Sequence, residues 1–326
     1  MTGRILRRVL LALTTVLLAT FLLYAAIRLV PGTPWAEDPA TPQAQIQEWV
    51  RSRHLDRGVA EGYLLWLRDV ARGDLGASYA VASGERVGAL IRRAAPTSLL
   101  LGLLGYGTAL AIAILLGLAA ARRPGGGWDR SWSALLYVLH AAPSFWIAMI
   151  LQNLVALRLG WLPSFGAGPV DLPRGAVASV AARVPFWILP PICLALGSMA
   201  FMFRFTRASL LDAVRSPYVG GGRARGLPEG LLLRRHAFAG TRVHLVTLVG
   251  LLVPSMIGGS IIIESIFGLP GIGRLFFLAV GMRDYPVVMG VGLVMALASI
   301  AGSAAADLLY VAVEPRLRGG GAEGEL

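Results

Sequence analysis

Two carboxylates, Glu264 and Asp307, stand inside otherwise apolar stretches of the chain. A charge in hydrocarbon is costly and marks an ion pathway, a proton relay or a buried pair. Other reactive groups are few. His140 and His244 have no companions at ligand spacing, and Cys193 is the sole cysteine, so neither a disulfide framework nor a Cys/His metal site is indicated. Gly271-Ile272-Gly273 is a lone G-x-G with no strand pattern before it, which does not support a dinucleotide site. All 30 basic residues are arginine. That removes a Schiff-base lysine and the P-loop lysine that would hold ATP phosphates. No serine, histidine or acid falls in a recognisable nucleophile motif.

The elements that must position these groups are apolar helices. Of 326 residues 56% are hydrophobic and only 15% charged, with a mean hydropathy of +0.67. Soluble domains carry about 25% charged residues. The net charge of +12 fits anionic headgroups and cytoplasmic loops better than nucleic acid, because apolar segments interrupt the arginines throughout. A crossing helix needs about 20 apolar residues. Stretches 9–29, 98–121, 133–157, 186–205, 245–267 and 287–313 qualify, which predicts an all-α membrane protein of six transmembrane helices. The first follows Arg4, Arg7 and Arg8 as a signal peptide would. Its apolar run exceeds the roughly 7–15 residues of such a peptide, so it is read as an uncleaved span.

Arginines in the short loops set the orientation. The N-terminus, 122–130, 204–242 and the tail hold 16, whereas 158–185 and 268–286 hold 5. Both termini are therefore expected in the cytoplasm. The chain divides into 1–30 (cytoplasmic end and first span), an extracytoplasmic loop 31–95, a core of five spans 96–315, and a tail 316–326. In the outer loop Val59, Tyr63, Trp66, Leu67 and Val70 recur at helical spacing, predicting a short amphipathic helix on the outer face, a cap packed on the bundle in preference to a dedicated partner-docking surface. Trp128, Trp132, Trp146 and Trp161 lie near span ends, as interfacial anchors do.

The loop 206–243 is the longest on the cytoplasmic side. Ala208 to Val214 favours helix, and Pro217 with Gly220-Gly221-Gly222 is expected to break it. A second helix is expected from Pro228 and Glu229, since proline is tolerated in a first turn. Two short helices around a glycine turn could dock into a partner's groove, or a basic loop could touch lipid phosphates. Composition leaves both open.

Tyr218-Val219-Gly220-Gly221-Gly222-Arg223-Ala224-Arg225-Gly226-Leu227 resembles the E-A-A-type loop of permease subunits of binding-protein-dependent ABC importers, closest to Y-V-x-x-A-R-A-K-G-L of the dipeptide/oligopeptide/nickel branch. Residues 233–237, L-R-R-H-A, resemble its L-L-R-H-A. Six further matches follow the family's order: V-P-G-T-P at 30–34, R-G-D-L-G-A-S at 72–78, P-S-F-W at 143–146 with L-G-W-L-P at 159–163, E-S-I-F-G-L-P-G-I-G at 264–273, R-D-Y-P at 283–286, and D-L-L-Y at 307–310 with E-P-R at 314–316. The departure is the glutamate-alanine-alanine slot, here Gly220-Gly221-Gly222. It implies that the loop helix starts later in this chain, or that coupling is altered.

The resemblance implies a type I ABC importer permease fold in the bacterial inner membrane, with residues 218 and 220–227 on coupling helices. It implies a non-catalytic subunit without a cofactor, partnered by a second homologous permease, two ATPases that bind ATP and Mg, and an extracytoplasmic solute-binding protein. Transport of peptides or a related solute such as nickel would proceed by alternating access. An ion-coupled secondary transporter using Glu264 and Asp307 is the rival, though clear inverted repeats and broken helices are not evident. Glu264 could instead pair with Arg28 or bond to the following P-G-x-G turn, and Asp307 could pair with Arg204 or Arg207.

Overall fold

A computed structural model describes residues 2–29, 47, 48, 50, 51, 56–169, 171, 175–258 and 260–313. The motif at 30–34, the E-P-R at 314–316 and the tail lie outside them. The described residues are mostly helical. α1 (Thr2–Leu29) carries the first apolar stretch and α2 (Val59–Ala71) is the amphipathic helix of the long loop. Tyr63 holds α2 to α1: its hydroxyl donates to the Leu17 carbonyl at 2.8 Å and meets Thr20 Oγ1 at 2.9 Å, with Phe21 edge-on to its ring.

α3 (Val87–Arg122) begins 11 residues before the expected start at Ser98 and passes through Pro96. The expected stretch starts after Arg92 and Arg93, whereas the first turns, which bury Val87, Leu90 and Ile91, extend the same helix. The third expected span is broken. α4 (Gly127–Ala141) and α5 (Ser144–Leu151, continued as a π-type turn Gln152–Arg158) meet at Pro143 with a 98° bend. Proline lacks the N–H and clashes with the preceding turn, which explains the corner. α6 (Ala176–Arg183) leads into α7 (Leu189–Arg215), which packs along α3.

The fifth expected span, 245–267, is corrected as well. α9 (Phe238–Gly258) ends at Gly258, and Ser260 caps a separate helix α10 (Ile261–Phe267) by accepting from Ile263 N at 3.3 Å. Glycine and serine interrupt a helix without lowering hydropathy enough to show. Gly268, at φ +65, turns the chain by 86° into α11 (Ile272–Gly281). α12 (Tyr285–Val313) lies against α9. Their backbones are close at two levels: a Cβ on Gly250 would run into Ala306, and one on Gly302 would sit 2.7 Å from Pro254 Cδ. Small residues permit this approach where solvent cannot drive packing. Among the described residues four helices are long and apolar enough to cross alone, and three bent pairs raise the possible crossings to seven.

Candidate functional site

The loop 206–243 is built on a buried seam. Ser216, with ψ 147, ends α7, and α8 (Pro217–Ala224) starts with proline at its first position. The helix over 208–214 does end just before Pro217, but contrary to expectation Gly220-Gly221-Gly222 makes no break and lies within the helix that follows. The reason is tertiary: Val219 and Gly222 form its inner edge, packed with Leu210, Leu232, Leu233 and Ala237. A methyl on Gly222 would lie 2.6 Å from Leu232 Cδ2. Burial of that edge overrides poor propensity. The break falls instead at Arg225-Gly226, where φ is +77 and Gly226 N donates to Arg223 O at 3.0 Å. Pro228 then caps a turn, Glu229–Leu231, which continues as a π-type segment, Leu232–Ala237, into α9.

Tyr218, Gly220, Gly221, Arg223, Ala224, Arg225 and Gly226 face outward, and Leu227 is half-buried. Arg223 forks onto Glu229 at 2.6 and 3.1 Å and Tyr218 Oη meets His236 Nδ1 at 2.9 Å. The hydrogen bonds from Arg223 hold the Glu229 carboxyl below its usual range. The pair is half exposed and adds little stability; its effect is to fix the turn between the helices. Gly220 and Gly221 have open space where a Cβ would go. Gly220→Ala and Gly221→Ala should therefore each stabilise α8, by about 0.5–1 kcal/mol. Chemical-denaturation midpoints of the single variants check this.

Glu264 is fully buried in α10, away from Arg28, whose guanidinium donates to the Arg57 carbonyl. Its Oε1 accepts from Ser98 Oγ at 2.8 Å and Ser260 N at 3.2 Å, and Oε2 accepts from Arg274 N at 2.9 Å. Ser98 Oγ in turn accepts from Ile272 N at 2.8 Å. The carboxylate and the serine thus cap α11 together and tie it to α3. Gly271 and Gly273 are required: a Cβ on Gly271 would overlap Glu264 Oε2, and one on Gly273 would lie 2.7 Å from Ile261 N. The P-G-x-G turn makes room for an acid.

Asp307 lies in α12, with its side chain outside the described residues. Arg207, one of its expected partners, takes Asp129 instead, in a fork of two 2.6 Å hydrogen bonds. Gly125 N adds a third to Asp129 Oδ2 at 2.8 Å. A further buried acid, Asp284, gathers four donors on Oδ2: Ser78 Oγ and the N–H groups of Tyr79, Ala80 and Val81. The R-G-D-L-G-A-S and R-D-Y-P motifs therefore meet in space. Sequence reasoning did not single out Ser98, Asp129 or Asp284; the two motif matches were the only signal for Asp284.

The chain matches the family described as binding-protein-dependent transport system inner membrane component over residues 113–319. It belongs to that family. This permease is 33% identical to the oligopeptide transport system permease protein AppB of Bacillus subtilis, over 97% of this chain and 99% of the relative. It is 30% identical to the oligopeptide transport system permease protein OppB of Haemophilus influenzae, over 96% and 98%. Among solved structures it resembles a chain of the inward-facing MetNI methionine ABC transporter, with a TM-score of 0.51 at 18% identity, covering 69% of the permease and 97% of that chain. The fold of the permease is thus that of an ABC transporter's membrane subunit, within a multi-pass protein of the inner membrane.

Proposed function

We propose that this chain is the permease subunit of an ATP-driven importer of peptides, working with a second homologous permease, two ATPases and an extracytoplasmic solute-binding protein. The observation that carries this is full-length similarity to oligopeptide transport permeases, at 33% identity over 97% of the chain. Six crossings with both termini in the cytoplasm agree with the arginine counts. In this reading α8 docks on an ATPase and moves with it. Its build suits a lever: the inner edge is packed into the bundle through Val219 and Gly222, while Tyr218, Arg223 and Arg225 are presented outward. A ligand shifts a two-state equilibrium only through contacts that differ between the states. ATP-driven closure therefore acts on the bundle through that outward face, and alternating access follows as the helices anchored to it pivot. ATP and Mg belong to the ATPases; the permease holds and reorients the pathway.

The test is Gly226→Pro. Proline fixes φ near −65° and lacks the N–H, whereas Gly226 sits at +77 and donates to Arg223 O. ATP-coupled peptide uptake in proteoliposomes should fall to background while membrane insertion and yield persist. Normal uptake by that variant would sink the lever.

A further inference from the structure

Between 72 and 92 the chain forms a depression of about 750 Å³, lined by Arg72, Arg86 and Arg92 with Asp74 and a floor rich in glycine. All three arginines are exposed, and among the described residues none has a carboxylate in ion-pair range. Neighbouring Arg93, by contrast, takes Glu85 at 2.6 Å. Asp74, itself exposed, accepts from Gly76 N at 2.8 Å. The depression thus sets three arginines against one carboxylate that is already engaged.

It is also held firmly. Ser78 N bonds Glu85 O and Val87 N bonds Gly76 O, joining its two walls through the bridge Ala77–Arg86. Asp284 fastens the segment 78–81 to the start of α12. Preorganised charge of this kind favours a specific encounter over a diffuse one.

Depth decides what it meets. Arg86 precedes Ser98, where the apolar part of α3 begins, by a dozen positions. At ~1.5 Å per residue that is about 18 Å of helix. Headgroups reach only roughly 5–8 Å beyond the hydrocarbon. The Arg86 end of the site therefore stands clear of lipid, while Arg92, six positions and about 9 Å before Ser98, lies at the outer edge of the headgroups.

We infer that this arginine-lined depression is a docking site for an acidic patch on the solute-binding protein, with carboxylates entering between Arg72, Arg86 and Arg92. The inference rests on the importer reading and on the outward placement of 31–95. Because Asp284 joins the platform to α12, and α12 lies along α9 downstream of α8, docking here bears on the same helix pair that the cytoplasmic lever moves.

The experiment uses the intact transporter in phosphatidylcholine nanodiscs, with a short fluorescent polyglutamate as the probe of an acidic surface and ATPase stimulation by the transporter's binding protein as the functional readout. Polyglutamate should bind the wild type and lose affinity as salt shortens the Debye length. Arg72→Glu, Arg86→Glu and Arg92→Glu together should weaken binding and stimulation by roughly tenfold or more, with basal ATPase unchanged. If the triple variant does not assemble, single Arg86→Glu and the salt series on the wild type make the same distinction. Stimulation that persists undiminished after charge reversal overturns the docking site and leaves the importer reading intact. Binding of phosphatidylglycerol vesicles without binding of polyglutamate overturns it in favour of lipid. A wild-type complex with no ATPase responsive to any binding protein refutes the importer reading itself.

Discussion

Glu264→Ala should lower the stability of the permease by on the order of 3–5 kcal/mol, the scale of a buried polar network broken from one side. The substitution removes the acceptor for Ser98 Oγ, Ser260 N and Arg274 N at once. It also opens a cavity where no solvent enters, because Glu264 is fully buried. The first turn of α11 loses its cap and its tie to α3, so unfolding should begin at that hairpin. Glu264→Gln separates this account from an ion-coupled carrier. The amide keeps the shape and one acceptor oxygen, so the loss should shrink to about 1–3 kcal/mol, and uptake by the surviving protein should remain. Were Glu264 a proton carrier, the neutral amide would abolish uptake without affecting the melting temperature. Thermal melting of the two variants in nanodiscs, set beside uptake per folded transporter, decides between them.

The second large effect is expected at the cytoplasmic turn. Asp129 is 2% exposed and Arg207 30%, and their fork joins the 123–129 turn to α7 just ahead of α8. Asp129→Ala strands a partly buried guanidinium and removes the acceptor of Gly125 N. A loss of about 3 kcal/mol follows, the lower end of the range for a severed buried pair because Arg207 keeps some contact with water. Arg207→Lys should also be poorly tolerated, since an ammonium cannot fork onto two carboxylate oxygens. If α7 carries motion from α8, complexes built with these variants should hydrolyse ATP, through their ATPases, out of proportion to the peptide they move. Normal coupling in an Asp129→Ala complex that melts like the wild type would remove the pair from the path.

Much of this fold is written in hydropathy. The positions of α1, α3, α7 and α12 follow from apolar runs, and Pro228 marks the second helical segment of the loop. The corners are less legible, though their signals exist: Pro143 in the third stretch and Gly258 with Ser260 in the fifth. An averaging window passes over them because glycine, proline and serine are not polar enough to interrupt it. Gly220-Gly221-Gly222 misleads in the opposite direction, since local propensity says break while burial of Gly222 against Leu232 keeps the helix. Least legible are the pairings across the chain. Ser98 lies 166 positions from Glu264 and Ser78 lies 206 from Asp284, and no spacing rule in one sequence connects them. The glycines of the 264–273 motif gain their reason only when the carboxylate beside them is seen.

The near-contact of Gly250 with Ala306 and of Gly302 with Pro254 has a mechanical corollary. Two rods meshed at that separation resist sliding, because each would have to climb over the other's side chains. They tilt as one strut, and its stiffness would be inherited by anything hinged to either end. A larger residue at Gly250 or Gly302 would act as a wedge, splitting the strut into two independent struts.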